Sequence, residues 1–315
     1  MRTNVPREEN PQLKVILPGM SIGEIHDSLW ERGIYTKSMV TQFFKCPIQT
    51  ERRHVYGEKY APGFVVMMGS AYASLMEYWA KKHLAGEFLE DGEVVDVTND
   101  IWARKMADVE EPEAKDAILA IEKKRKIVEC FSAWEVLYGE VRDNLGLLTA
   151  AEVGMGYDGN IIVTDSVGTD IKIAGTFDKV FEDGVADDKF VGMKSRYRKF
   201  TRWDYEMAHL SMVTGHRKSF LFPAIHDFKN KVEVETKDCT QTEGTIQVAT
   251  DKLGAFKRSI DAGIFCPPSC NPGVFPCMPK FCGFFGRTCP LTKHLNRDAD
   301  EFKPTKERST YTGKR

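Results

Sequence analysis

A chain of 315 residues can bury a full core as one large domain or two small ones, and its 42% hydrophobic and 29% charged content is that of a globular protein rather than a disordered or membrane-spanning one. A net charge of −2 supplies no global attraction for nucleic acid, so any such contact must come from a local patch. No run of about 18 apolar residues predicts a membrane span, and MRTNVPREENPQLK lacks an apolar signal core, so a cytoplasmic chain is expected, in which the clustered members of its eight cysteines point to metal ligation rather than disulfides.

In chain order, residues 1–20 are polar and Pro-containing, a lead-in without order of its own. Residues 22–33 predict a short helix. Thr36 or Ser38 caps a second helix through Val40, Phe43 and Phe44, ending at Cys46-Pro47. Residues 65–84 predict a helix, with Met68, Tyr72, Leu75, Met76 and Trp79 at helical spacing. Residues 89–109 read as an irregular insertion. Residues 112–141 form a long helix rich in Ala, Glu, Lys and Leu, and 147–156 a strand holding Glu152.

Residues 171–190, IKIAGTFDKVFEDGVADDKF, predict two strands joined by a Glu-Asp-Gly turn. Asp178, Asp187 and Lys189 stand where an ordinary hairpin carries apolar residues. Asp187 and Lys189 are two apart, so they share a face, and pairing across the turn lets Asp178 meet them. Two carboxylates and an ammonium suit a hard divalent cation, an anionic substrate and an attacking water. A solvated acidic hairpin is the plainer reading of the same three residues.

The run GMKSRYRKFTRW follows, with Lys194, Arg196, Arg198, Lys199 and Arg202 interleaved with Tyr197, Phe200 and Trp203. Its cations suit phosphates and its rings suit base stacking, as a single-strand contact requires. A helix over 204–214, strands over 218–225 and 231–235 and a helix over 245–263 complete the elements. Five cysteines lie in 264–290, IFCPPSCNPGVFPCMPKFCGFFGRTCP. The tail from 299 to 315 is basic, polar and expected to be disordered.

Four separated elements, in this order, resemble the RecB-like branch of the PD-(D/E)XK nucleases, over about residues 36–290. They are SMVTQFFKCP, the helix start GSAYASLMEYW, the hairpin with Asp178 and Asp-x-Lys at 187–189, and Cys277-x4-Cys282-x6-Cys289-Pro290. The resemblance implies an α/β fold of restriction-endonuclease type, a mixed central sheet flanked by helices with helical and cysteine-rich additions, as a single domain over 21–298. It implies that Asp178 and Asp187 hold Mg²⁺ or Mn²⁺, that Lys189 orients the water, and that Glu152, Glu77 and Glu206 are accessory positions. Where the family carries a metal-binding His this chain has Ala73, and where the family carries Gln it has Glu206. Cys46, Cys277, Cys282 and Cys289 are implied as ligands of a [4Fe–4S] cluster. A local zinc site of Cys266, Cys270, Cys277 and Cys282 is the alternative. The implied activity is that of a DNA nuclease, an exonuclease on ends or single strands in recombination, repair or phage DNA processing, with a helicase, single-strand-binding protein or recombinase as a possible partner. A DNA-end-binding scaffold with a degenerate site, or a zinc-stabilised interaction module, are the other readings open to the sequence.

Overall fold

Strand β4 (Asp170–Phe181) is the axis of the sheet, and four other strands lie against it. The computed structural model of the chain describes residues 22–58, 63–107, 109, 112–191, 202–226, 232–265, 282, 284, 287–292 and 294. The expected lead-in, the basic run at 194–199, Cys266, Cys270, Cys277 and the basic tail lie outside the described residues.

Helix α1 (Ile22–Glu31) leads into β1 (Ile34–Thr36), which pairs parallel with β4 in the register Ile34 to Lys172. Helix α2 (Lys37–Lys45) follows with no gap. The Thr36 side chain accepts from the Met39 backbone N–H and so fixes where the helix starts. Cys46 ends α2 and begins α3 (Pro47–Thr50), with Pro47 at the position that needs no donor. A π-helical turn, Glu51–Val55, comes next. Three longer helices then run together: α4 (Phe64–Leu84), α5 (Asp91–Met106) and α6 (Ala117–Leu145). Helix α5 corrects the irregular insertion expected there. Val94, Thr98, Ile101 and Trp102 recur at helical spacing and are buried against α4.

Strands β2 (Leu148–Met155) and β3 (Ile162–Thr164) pair antiparallel with the two halves of β4. Glu182–Gly184 turn the chain from β4 into β5 (Val185–Val191), as the Glu-Asp-Gly sequence predicts. Helix α7 (Arg202–Thr214) then crosses to β6 (Ser219–His226), which lies parallel to β5. Short strands β7 (Val232–Val234) and β8 (Lys237–Asp238) pair antiparallel with β6, and α8 (Glu243–Asp261) packs back on the sheet. The result is an eight-stranded mixed sheet flanked by helices, the α/β architecture the sequence leads one to expect.

Each face of the sheet has its own core. One joins α1, α2, α7 and α8 to the sheet through Leu29, Met39, Phe43, Leu210 and Phe256. The other joins α4, α5 and α6 to it through Leu75, Trp79, Trp102, Phe131 and Trp134. Burying apolar side chains on both faces, at about 25 cal/mol per Å², is the main force holding the helices to the sheet. Among the described residues no helix is long and apolar enough to cross a membrane.

Candidate active site

The β4–β5 ladder is short. Lys179 pairs with Ala186 and Val180 with Val185, next to the turn. The next position in that register sets Asp178 opposite Asp187. There the ladder with β4 stops, whereas on its other edge β5 runs alongside β6 over its whole length. Two features of the neighbouring backbone mark the same level. Along β4, Ile171, Ile173 and Phe177 face the α1/α2/α7/α8 core, whereas Phe181 faces the α4/α5/α6 core, so the alternation reverses near Asp178. Across β2, Glu152 lies between the pairs Ala151–Lys179 and Val153–Phe177, which sets it opposite Asp178. Its φ is 49°, the left-handed region, which no other non-glycine among the described residues adopts. The sheet is thus distorted where its carboxylates gather.

The expected trio is brought together. Asp187 is buried, 1% exposed, and carries an ammonium on each oxygen. Lys189 pairs with Oδ2 from two residues along the strand, so the shared face is as read from the spacing. Lys37, the first residue of α2, donates to Oδ1 at 2.6 Å. Burial alone would raise the Asp187 pKa. Lys189 and Lys37 outweigh it and hold the carboxyl well below the usual range. Asp178 accepts from the Asp188 backbone N–H at 2.8 Å, which locks it across the mouth of the hairpin. Its pKa is raised, by burial first and then by the Asp187 charge.

The accessory positions fall around this trio. Glu206 on α7 approaches Lys189 at 3.8 Å, so the Glu found there gives Lys189 a second anion. Burial of Lys189 is offset by Asp187 and Glu206, and its pKa is raised. Burial pushes Glu152 up to about 8, with Asp178 and Glu77 adding repulsion. Glu77, on α4, is itself ion-paired with Lys81. Arg202 opens α7; Lys194, Arg196, Arg198 and Lys199 lie outside the described residues.

Sequence reading missed Lys37 and a second buried pair. On the opposite face of the hairpin, Lys179 pairs with Asp188 and lies 4.7 Å from the ring centre of Trp134. Asp188 Oδ1 has no hydrogen-bond partner among the described residues, and burial raises this carboxyl to about 6 despite Lys179. Nothing local announces this pair: Lys179 stands between Asp178 and Val180, and Asp188 between Asp187 and Lys189, so both read as part of the same charged group.

Among the described residues no three carboxylate, thiol or imidazole groups converge as a finished metal site. The donors nevertheless fit a hard divalent cation. Asp178 and Glu77 both repel Glu152, and a cation relieves such crowding. Of the implied cluster ligands, Cys46, Cys282 and Cys289 are buried. The Thr288 hydroxyl donates to the Glu58 carboxylate, and the Glu58 N–H donates to the Arg52 carbonyl at 3.0 Å. The segment after Cys46 is therefore joined to the segment holding Cys289. Cys130 and Cys239 are buried elsewhere, and burial pushes the Cys130 thiol up to about 12.

No family model and no curated protein matches the sequence. Several solved structures are similar, three of them as follows. One is named "Putative exonuclease", from Eubacterium rectale, 10% identical with a TM-score of 0.48, covering 93% of this chain and 98% of that one. Another is SSO0001, 13% identical with a TM-score of 0.37, covering 85% of this chain and 95% of that one. The third is LHK-Exo in complex with dAMP, 9% identical with a TM-score of 0.27, covering 62% of this chain and 93% of that one. None of the three is similar enough to assign a chemistry.

Proposed function

We propose that the chain is a metal-dependent deoxyribonuclease of the RecB-like PD-(D/E)XK kind, acting on DNA ends or single strands. The observation that carries this reading is the meeting of Asp178, Asp187 and Lys189 where the β4–β5 ladder ends. Asp178 and Asp187 would hold Mg²⁺ or Mn²⁺, with Glu152 as a further oxygen donor. A bound divalent ion supplies charge to the scissile phosphate and acidity to a water. Asp187 and Glu206 favour the charged form of Lys189, which can orient that water and offset charge on the phosphate as bonds change. Glu206 keeps Lys189 anchored on the α7 side. The basic run at 194–202 comes after β5 in the chain, and its cations and rings would suit the phosphates and bases of a single strand. Cys46, Cys277, Cys282 and Cys289 would hold a [4Fe–4S] cluster as a structural tie.

The test is digestion of end-labelled single- and double-stranded DNA by anaerobically purified protein with Mn²⁺. Shortened products that vanish on chelation are expected. Tight binding to ends without cleavage would favour the scaffold reading, for which Ala73 and the double lysine pairing of Asp187 speak.

A further inference from the structure

Lys37 pairs with a carboxylate that the nuclease reading needs for something else. On the α2/α7 side of the hairpin, two ammonium groups share Asp187. They are not equivalent. Lys189 has Glu206 at 3.8 Å as a second anion. For Lys37, the carboxylate it pairs with among the described residues is Asp187 alone. If Asp187 gives an oxygen to a cation, Lys189 keeps a counter-charge and Lys37 does not.

The position of Lys37 determines what can replace that partner. Its side chain is 18% exposed against 1% for Asp187, so an anion arriving from solvent can reach the ammonium while the carboxylate stays covered. It is also the first residue of a nine-residue helix, whose opening N–H groups and positive dipole end favour an anion. An ammonium left without a counter-charge at so low an exposure is costly, and a phosphate oxygen restores the balance.

Resting on the nuclease reading, we propose that Lys37 is a ligand of a substrate phosphate, held by Asp187 until a cation takes that carboxylate. Lys37 is then both the competitor that keeps Asp187 neutralised in the empty site and a contact that admits the nucleic acid once the cation is present. The order of binding follows: cation before DNA.

The experiment uses the full chain, Lys37→Gln, and two titrations. Mn²⁺ is titrated without DNA by the loss of its free-ion electron-spin signal. K37Q is expected to bind Mn²⁺ several-fold more tightly than wild type, since the competing ammonium is gone. A short single-stranded oligonucleotide is then titrated with Ca²⁺ present. K37Q is expected to bind it about tenfold more weakly, with a log K against log salt slope shallower by about 0.7, one single-strand phosphate contact. A purely structural Lys37 would lower stability without tightening Mn²⁺. In the wild-type chain, acetylation of Lys37 by an N-hydroxysuccinimide ester, read by peptide mass, is expected to rise with Mn²⁺ and to fall again with oligonucleotide. That reading needs no variant to fold. Wild type that binds neither Mn²⁺ nor oligonucleotide overturns the nuclease reading itself. Wild type that binds both, with K37Q unchanged or Lys37 labelling unmoved, overturns this proposal alone.

Discussion

Lys179 and Asp188 pair on the face of the β4–β5 hairpin opposite to Lys189 and Asp187, and both side chains are 1% exposed. One hairpin therefore carries two lysine–aspartate pairs back to back. One opens toward Lys37 and Glu206, and the other is sealed beneath Trp134.

The sealed pair is expected to matter for stability and not for chemistry. Asp188→Ala leaves a buried ammonium unpaired and should cost about 3–5 kcal/mol in urea denaturation. Replacing both partners by apolar residues, Lys179→Met with Asp188→Leu, should recover most of that loss. A double variant as unstable as the single one would show that the pair is held by something other than mutual charge.

The open pair should behave the other way. Asp178→Asn keeps an oxygen for the Asp188 N–H, and Asp187→Asn keeps one for Lys37, so both should fold. Each should lower Mn²⁺-dependent cleavage by about 100-fold or more, the worth of a lost metal carboxylate. Wild-type cleavage rates in both would refute the site.

Glu152 offers a test of the distorted backbone. Glu152→Ala and Glu152→Gly remove the same carboxylate, but only Gly adopts a φ of 49° without steric cost. The Gly variant should be the more stable of the two by roughly 1 kcal/mol. Equal melting temperatures would mean that the strand relaxes when the side chain is lost.

His209 sets an acid limit. Its ring is fully buried on α7, Nε2 lies 2.9 Å from the Ala174 carbonyl, and burial lowers its pKa from 6.5 to about 4. The unfolded chain takes up this proton below its own pKa and the folded chain does not. Stability from this residue is therefore complete above pH 6.5 and lost as pH falls toward 4, up to about 3 kcal/mol. His209→Gln should flatten the unfolding free energy over that window, measured by denaturant titration at each pH. An unchanged slope would assign the acid sensitivity to other groups.

The cysteines make the last prediction. Protein purified without oxygen should be brown, with absorption near about 400 nm and roughly four irons per chain. Ser at Cys46, Cys277, Cys282 or Cys289 should bleach it, and Ser at Cys130 or Cys239 should not. A colourless protein with one zinc, indifferent to Cys46→Ser but not to Cys266→Ser, would replace the cluster by the local zinc site.

Much of this was legible in the sequence for a simple reason. Charged residues inside apolar runs are costly, so Asp178, Asp187 and Lys189 stood out before any partner was known. The helices with wide apolar stripes, α4 and α6, were equally plain. Three things were not. Strand β1 is three residues between two helix signals, too short for alternation to show. Helix α5 carries Val94, Val95, Val97 and Thr98, whose branching argues against a helix until packing against α4 overrides it. Lys37 reads as a surface residue of α2, because its partner lies 150 residues away and nothing local announces it.

The pairing of β1 with β4 has a consequence for synthesis. Ile34–Thr36 leave the ribosome well before their neighbours in the sheet, Lys172–Ala174, and Asp187 and Glu206 come later still. The helices α4, α5 and α6 emerge in between and can settle against one another first, but β1 waits with an open edge and Lys37 waits without its aspartate. A nascent chain therefore has no assembled centre until the residues through Glu206 have emerged.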